Sequence, residues 1–191
     1  IISSVGKTDI DLISFLKEKT NCIIFDHHAK IPITINYASF ETLGLDRIAN
    51  GVGAASIFPG EDCLSIQAGT CIVYDFIDKE GVYQGGAISP GINMRFKALH
   101  EQTNNLPLLE KENVNYFIGK NTQQSIKSGV INGVIFEIMG QIESYKTQFN
   151  PLKVVITGGD MFFLQNSIKN QIFATPNLVL IGLNKILKLN V

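Results

Sequence analysis

Apolar and polar residues alternate along this chain with two different periods. A period near two, or a short apolar run between glycines, predicts strands at residues 64–66, 71–77 and 82–83. The same signals predict strands at 21–26, 33–37 and 153–157. Residues 67–70 and 78–81 supply the turns that fold the first three into consecutive hairpins. Residues 1–5 read as the end of a buried strand. Helical spacing takes over at 9–17, behind an acidic first turn, and again at 48–55, opened by Gly44-Leu45-Asp46-Arg47, at 92–101, at 123–145, after Asp160 and at 177–187. In the longest of these, Ile126, Val130, Val134, Ile135, Ile138 and Ile142 form the apolar positions. Strand, glycine turn and helix recur in this order without a repeat or a low-complexity tract, which predicts an α/β fold.

Composition narrows what such a fold can do. The 191 residues are 45% hydrophobic with mean hydropathy +0.17, enough for one large domain or two small ones. Sixteen basic and seventeen acidic residues are mixed along the chain. That leaves no basic stripe for nucleic acid and no polybasic patch for a membrane, and the cytoplasm is the expected compartment. Cys22, Cys63 and Cys71 form no C-x-x-C pair and are expected to be small core residues.

Four stretches carry candidate chemistry. Ala68-Gly69-Thr70 joins two predicted strands, where backbone N–H groups and a hydroxyl can approach a phosphate. Gly6-Lys7-Thr8 lacks the upstream glycine of a phosphate loop, because Ile1 stands there, and reads as a turn. Asp26-His27-His28 matches the signature triplet of manganese phosphoesterases, but the further aspartates of a two-cation site have no counterpart, so a polar strand end is the expected role. Asp46 opens a helix beside Arg47. It can cap that helix, or it can accept a hydroxyl proton while the guanidinium holds an anionic group.

Taken in order, Tyr37, Gly44-Leu45-Asp46-Arg47, Ala68-Gly69-Thr70, Gly85-Gly86 with Ile88 and Pro90-Gly91, Leu106-Pro107, Gly119-Lys120-Asn121-Thr122 and Thr157-Gly158-Gly159-Asp160 resemble the type III pantothenate kinases over nearly the whole chain. Thr70-Cys71-Ile72 with Tyr74-Asp75-Phe76 is similar to the Bacteroidetes branch. The resemblance implies a sugar kinase/actin-like fold, with two ribonuclease-H-like halves at 1–60 and 61–191 facing each other across an ATP cleft. It also implies ATP-dependent phosphorylation of pantothenate, the first step of coenzyme A synthesis.

Carried over by residue, Asp46 is the expected base. Tyr37, Gly44, Leu45, Arg47 and Thr122 are expected around pantothenate. Gly69, Thr70, Gly158 and Gly159, with Asp160 beside them, are expected on the ATP side. Mg²⁺, a monovalent cation (K⁺ or NH₄⁺) and a homodimer complete the expectation. The family's D-x-G-N-T-x-x-K phosphate loop has no match here and is expected before the position of Ile1, so the first half is expected to be truncated and the ATP site incomplete. Gln67 stands where the family has the aspartate that binds the monovalent cation, and Val73 stands where many members have threonine. A catalytically impaired fragment or relative that keeps the substrate pocket is therefore the alternative to a working kinase. A metal phosphoesterase built on Asp26-His27-His28 is the second alternative.

Overall fold

The structure, a computed structural model, describes residues 1–3, 10–168 and 172–191. The stretch Gly6-Lys7-Thr8 lies outside the described residues. Six strands, β1 (Thr34–Ile35), β2 (Asp62–Ala68), β3 (Cys71–Ile77), β4 (Val82–Pro90), β5 (Leu152–Thr157) and β6 (Phe173–Ala174), form one sheet in the order β1-β4-β3-β2-β5-β6. The Gly69-Thr70 and 78–81 turns are too short for crossovers, so β2, β3 and β4 run antiparallel as hairpins. The outer pairs are parallel: Thr34 faces Val82, and Val155 faces Phe173. The helices are α1 (Ile10–Lys19), α2 (Leu45–Ile57), α3 (Ile92–Glu101), α4 (Thr122–Gln148), α5 (Met161–Gln165) and α6 (Leu178–Asn190). None of the described helices is long and apolar enough to cross a membrane.

Three expectations change in detail. Residues 21–26 contribute only an isolated bridge, Ile24 to Ile2, in place of a strand. The strand from Val82 does not stop at the glycine pair but continues through Gly85, at φ +95°, to Pro90. A short 3₁₀ turn at Phe40–Thr42, which no periodicity announced, precedes α2.

The chain divides into two compact units, Ile1–Cys63 with Asp75–Gly85 and Asn177–Val191, and Leu64–Tyr74 with Gly86–Pro176. In the first unit α2 packs along α6, with Ile48, Ala49 and Val52 on one helix and Leu178, Leu183 and Ile186 on the other all buried. The approach is so close that a Cβ on Gly182 would strike the carbonyl of Ala49, and one on Gly53 would stand 2.5 Å from the carbonyl oxygen of Leu178. At the far end of α6, Asn190 clasps Lys30, donating to its carbonyl at 2.8 Å and accepting from its N–H at 3.0 Å.

In the second unit the core joins Leu64, Ile66, Ile72 and Tyr74 to Phe96 and to Ile126, Val130, Val134, Ile138 and Ile142 of α4. Asn121 caps α4 by accepting from the Gln124 N–H at 2.9 Å. Glu137, midway along α4, accepts from Tyr74 Oη at 3.0 Å, from Ser89 Oγ at 2.5 Å and from the Arg95 guanidinium. Burial pushes the Glu137 carboxyl up, but these three donors outweigh it and hold the group below the usual carboxylate range. One carboxylate thus ties β3, β4 and α3 to the long helix.

Candidate active site

Asp46 lies in the first turn of α2, and the N-cap is Gly44, which offers no side chain. The aspartate is therefore not the helix cap. A Cβ on Gly44 would come within 2.6 Å of Asp46 Oδ1, so the bare backbone at that position leaves room for the carboxylate to fold over the helix start. The side chain is partly exposed, at the helix end where unpaired N–H groups favour an anion.

Arg47, by contrast, turns inward. Its residue exposure is 7%, and its Nε donates to Asp75 Oδ1 at 2.8 Å, with Nη2 at 2.8 Å from the same oxygen. Tyr83 Oη donates to that oxygen at 2.6 Å. The guanidinium also lies 5.8 Å from the ring centroid of Tyr37 and 5.9 Å from that of Tyr83, within cation–π range. Burial pulls the Arg47 pKa down, yet the Asp75 charge and the bonds around it raise it above the ordinary value. Burial is also the largest influence on Asp75 and pushes its carboxyl up to about 6, against the opposing pull of Arg47 and the Tyr83 bond. The Tyr83 phenol is pushed up by burial and by the Asp75 charge. Arg47 is thus occupied by the protein itself, where the sequence suggested a guanidinium available to an anionic ligand.

On the second unit, Gly69 and Thr70 form the β2–β3 turn, and Thr70 is exposed. Gly158, at φ +94°, lies against the end of β2 so tightly that a Cβ would strike the Ala68 carbonyl. Asp160 N–H donates to that same carbonyl at 3.0 Å. Gly69, Thr70, Gly159 and Asp160 therefore share one rim. With Asn93, Met94, Lys97 and Lys111 they line a cavity of about 610 Å³. The Lys111 ammonium pairs with Asp160 and stands 5.9 Å from the Phe163 ring. Glycine N–H groups, a hydroxyl and two ammonium groups around one cavity suit a polyphosphate chain. Thr122, the first residue of α4, borders a larger, mostly apolar cavity of about 920 Å³ with Arg95, Leu99, Leu106 and Ile126. Gln67 is on β2, partly buried.

The structure brings Tyr37, Gly44, Asp46 and Arg47 together in one unit and Gly69, Thr70, Gly159 and Asp160 together in the other. Sequence reasoning missed Asp75, Tyr83 and Lys111. The signal for Asp75 was available: a carboxylate inside the buried strand 71–77 requires a cationic partner. The residues Asp26-His27-His28 serve a turn: Asp26 Oδ1 accepts from the His28 N–H at 2.8 Å, and His27 Nε2 meets the Leu43 carbonyl at 2.8 Å. No cluster of three or more His, Cys, Asp or Glu suited to a metal occurs among the described residues.

A helix-start aspartate in one α/β unit and a glycine-lined, cationic cavity in the other define an α/β protein with the parts of a phosphotransferase. The family model described as type III pantothenate kinase matches residues 1–144. The chain is 46% identical to the type III pantothenate kinase of Christiangramia forsetii, covering 100% of this chain and 78% of that protein. It is likewise 46% identical to the one of Cytophaga hutchinsonii, covering 100% and 80%. It is 47% identical to the one of Bacteroides fragilis over 86% of this chain and 68% of that protein. The chain belongs to the type III pantothenate kinase family. A solved structure from Campylobacter jejuni, described as a conserved protein of the Baf family of transcriptional activators, superposes with a TM-score of 0.61 at 24% identity, covering 94% of this chain and 78% of that one. This second likeness concerns the fold alone.

Proposed function

We propose that this chain catalyses transfer of the ATP γ-phosphoryl group to the primary hydroxyl of pantothenate. The carrying observation is Asp46: a partly exposed carboxylate on a buried helix, folded over a glycine and freed from capping. In this reading Asp46 takes the hydroxyl proton as the oxygen attacks phosphorus. Tyr37, Gly44, Leu45 and Arg47 shape the pantothenate pocket, with Arg47 acting on the pocket wall from behind. Gly69, Thr70, Gly158 and Gly159 hold ATP phosphates, and Lys111 and Lys97 supply positive charge at the same cavity. A Mg²⁺ ion bound with the nucleotide would offset the charge on the transferring group.

Gln67 occupies the family's monovalent-cation position with an amide in place of a carboxylate. An amide oxygen can ligate K⁺ but adds no charge, and this substitution favours, as a second reading, a relative with weakened catalysis. Two ribonuclease-H-like halves at 1–60 and 61–191 and a cytoplasmic site of action belong to the same proposal.

We also propose a homodimer formed through α4. Phe136 is 56% and Met139 39% exposed on that helix, and Phe136 stacks on Phe117, itself 75% exposed. Along the helix Gly129, Gly133 and Gly140 have open space where a Cβ would stand. This face suits a second copy of the helix at close range.

The kinase reading is tested by following ADP release with ATP and pantothenate, for the protein and for Asp46→Asn. A fall in kcat of about 10² or more at nearly unchanged pantothenate KM is expected. A fully active Asp46→Asn enzyme removes Asp46 from the mechanism.

A further inference from the structure

We propose that Asp75 and Tyr83 are positioning residues for the phosphoryl transfer, acting through Arg47 on the helix turn that carries Asp46. The inference rests on the reading of Asp46 as the base.

Its ground is a clamp with an unusual arrangement of donors. Two of them, Arg47 Nε and Tyr83 Oη, converge on a single oxygen, Asp75 Oδ1, at 2.8 and 2.6 Å, with Arg47 Nη2 in ion-pair contact at 2.8 Å but making no hydrogen bond. The other oxygen, Oδ2, is buried with no hydrogen-bond partner. Asp75 is 0% exposed, so the pair carries a desolvation cost that an apolar pair of similar volume would avoid. Replacing such a pair by well-packed apolar side chains is often neutral or stabilising, so stability is a weak reason for the ionic version. What the ionic version adds is direction. The fork of Arg47 has one place to dock, and its Cα is the neighbour of the Asp46 Cα.

Successive helical residues point roughly 100° apart around the axis. Fixing Arg47 inward therefore fixes where Asp46 points, and Gly44 leaves the carboxylate its room above the helix start. The rings of Tyr37 and Tyr83 stand near the guanidinium and near each other, 6.2 Å between centroids, which limits its swing. Every member of this set lies within one compact unit. A base whose aim is off by about an ångström costs up to about a hundredfold in rate, while leaving substrate contacts in place.

The experiment compares four variants of the full-length enzyme by steady-state kinetics and melting: Tyr83→Phe, Asp75→Asn, the double Arg47→Met/Asp75→Leu, and Asp46→Asn. Tyr83→Phe removes one hydroxyl, and it is expected to lower kcat about tenfold while the KM values for pantothenate and ATP stay within about threefold. Asp75→Asn removes the charge on which Arg47 docks and is expected to lower kcat. The double variant removes both charges together and is expected to melt at or above the wild-type temperature with kcat still low, a split that a purely structural pair would not give. A double variant with wild-type melting and wild-type kcat overturns the proposal. If the double variant does not fold, Tyr83→Phe decides alone, and an unchanged kcat overturns it. Asp46→Asn separates the two levels: full activity there removes the base and the clamp's role with it, whereas an inactive Asp46→Asn beside fully active clamp variants removes the clamp only.

Discussion

Gly182→Ala is expected to destabilise the protein although alanine is the better helix former. At the α2–α6 crossing a Cβ on Gly182 would overlap the carbonyl oxygen of Ala49, lie 2.7 Å from its carbonyl carbon and stand 3.0 Å from the N–H nitrogen of Gly53. All three are backbone atoms of a helix whose inner face is buried, so no side chain can rotate away, and the helices must separate. Overpacking of this kind costs about 1–3 kcal/mol, and a clash with backbone lies at the upper end. Replacing glycine inside a helix returns about 1 kcal/mol. The balance is a net loss of about 2 kcal/mol, or a fall in Tm of roughly 4–8 °C for a chain of this length. Because α2 carries Asp46, the same displacement is expected to lower kcat. Thermal melting of Gly182→Ala beside the wild-type protein reads this balance directly. A Gly182→Ala protein that melts at or above the wild-type temperature would refute the reasoning.

The buried Asp75 gives stability a pH dependence of known sign. With its folded pKa raised to about 6, the folded state binds a proton that the unfolded chain has released between roughly pH 4 and 6, so this group's contribution falls as pH rises through that window, by at most about 3 kcal/mol. Asp75→Asn removes the dependence, and a wild-type-minus-variant Tm difference that stays flat or rises from pH 4 to 7 contradicts it. At Gln67, in the proposed phosphate site beside the Gly69-Thr70 turn, a neutral amide removes an anion that would need a cation against phosphate. Weak K⁺ activation is therefore expected, with stronger activation in Gln67→Asp, and strong K⁺ activation of the protein with Gln67 would sink the argument. For the α4 face, Gly133→Leu is expected to shift a dimer toward monomer in light scattering at micromolar concentration, and a wild-type protein that is monomeric there disproves the interface.

Elements whose order follows from local chemistry were legible in the sequence. Cys71–Ile77 and Ile92–Glu101 fall where the apolar pattern and Gly91 placed them. The long helix needed only small extensions, to Thr122 and Gln148. Where the reading slipped, a residue type had two uses. The strand read at 82–83 runs on through Gly85-Gly86 to Pro90, because that stretch stays paired in the sheet. Asp46 looks like a cap, yet the chain caps α2 with the backbone of Gly44. Residues 21–26 have a strand's composition but form only the Ile24–Ile2 bridge. The candidate site was legible as motifs, since Asp46 and Gly69-Thr70 each lie in a short signature. Its support was not: Arg47 and Asp75 are 28 positions apart, and Lys111 and Asp160 are 49 apart. Only the folded sheet and helices bring such partners within reach.

The clasp between Asn190 and Lys30 sets an order of events during synthesis. One unit is complete by residue 176, whereas the other begins before it and waits for residues 177–191. Domains fold as units while the chain emerges from the ribosome. The helix bearing Asp46 therefore leaves the ribosome early but gains its packing partner last, after the second unit has formed. Until α6 arrives, Ile48, Ala49 and Val52 have nothing of that helix to cover them. A nascent chain stalled before residue 178 would present an apolar α2 face to chaperones, even with the other unit already native.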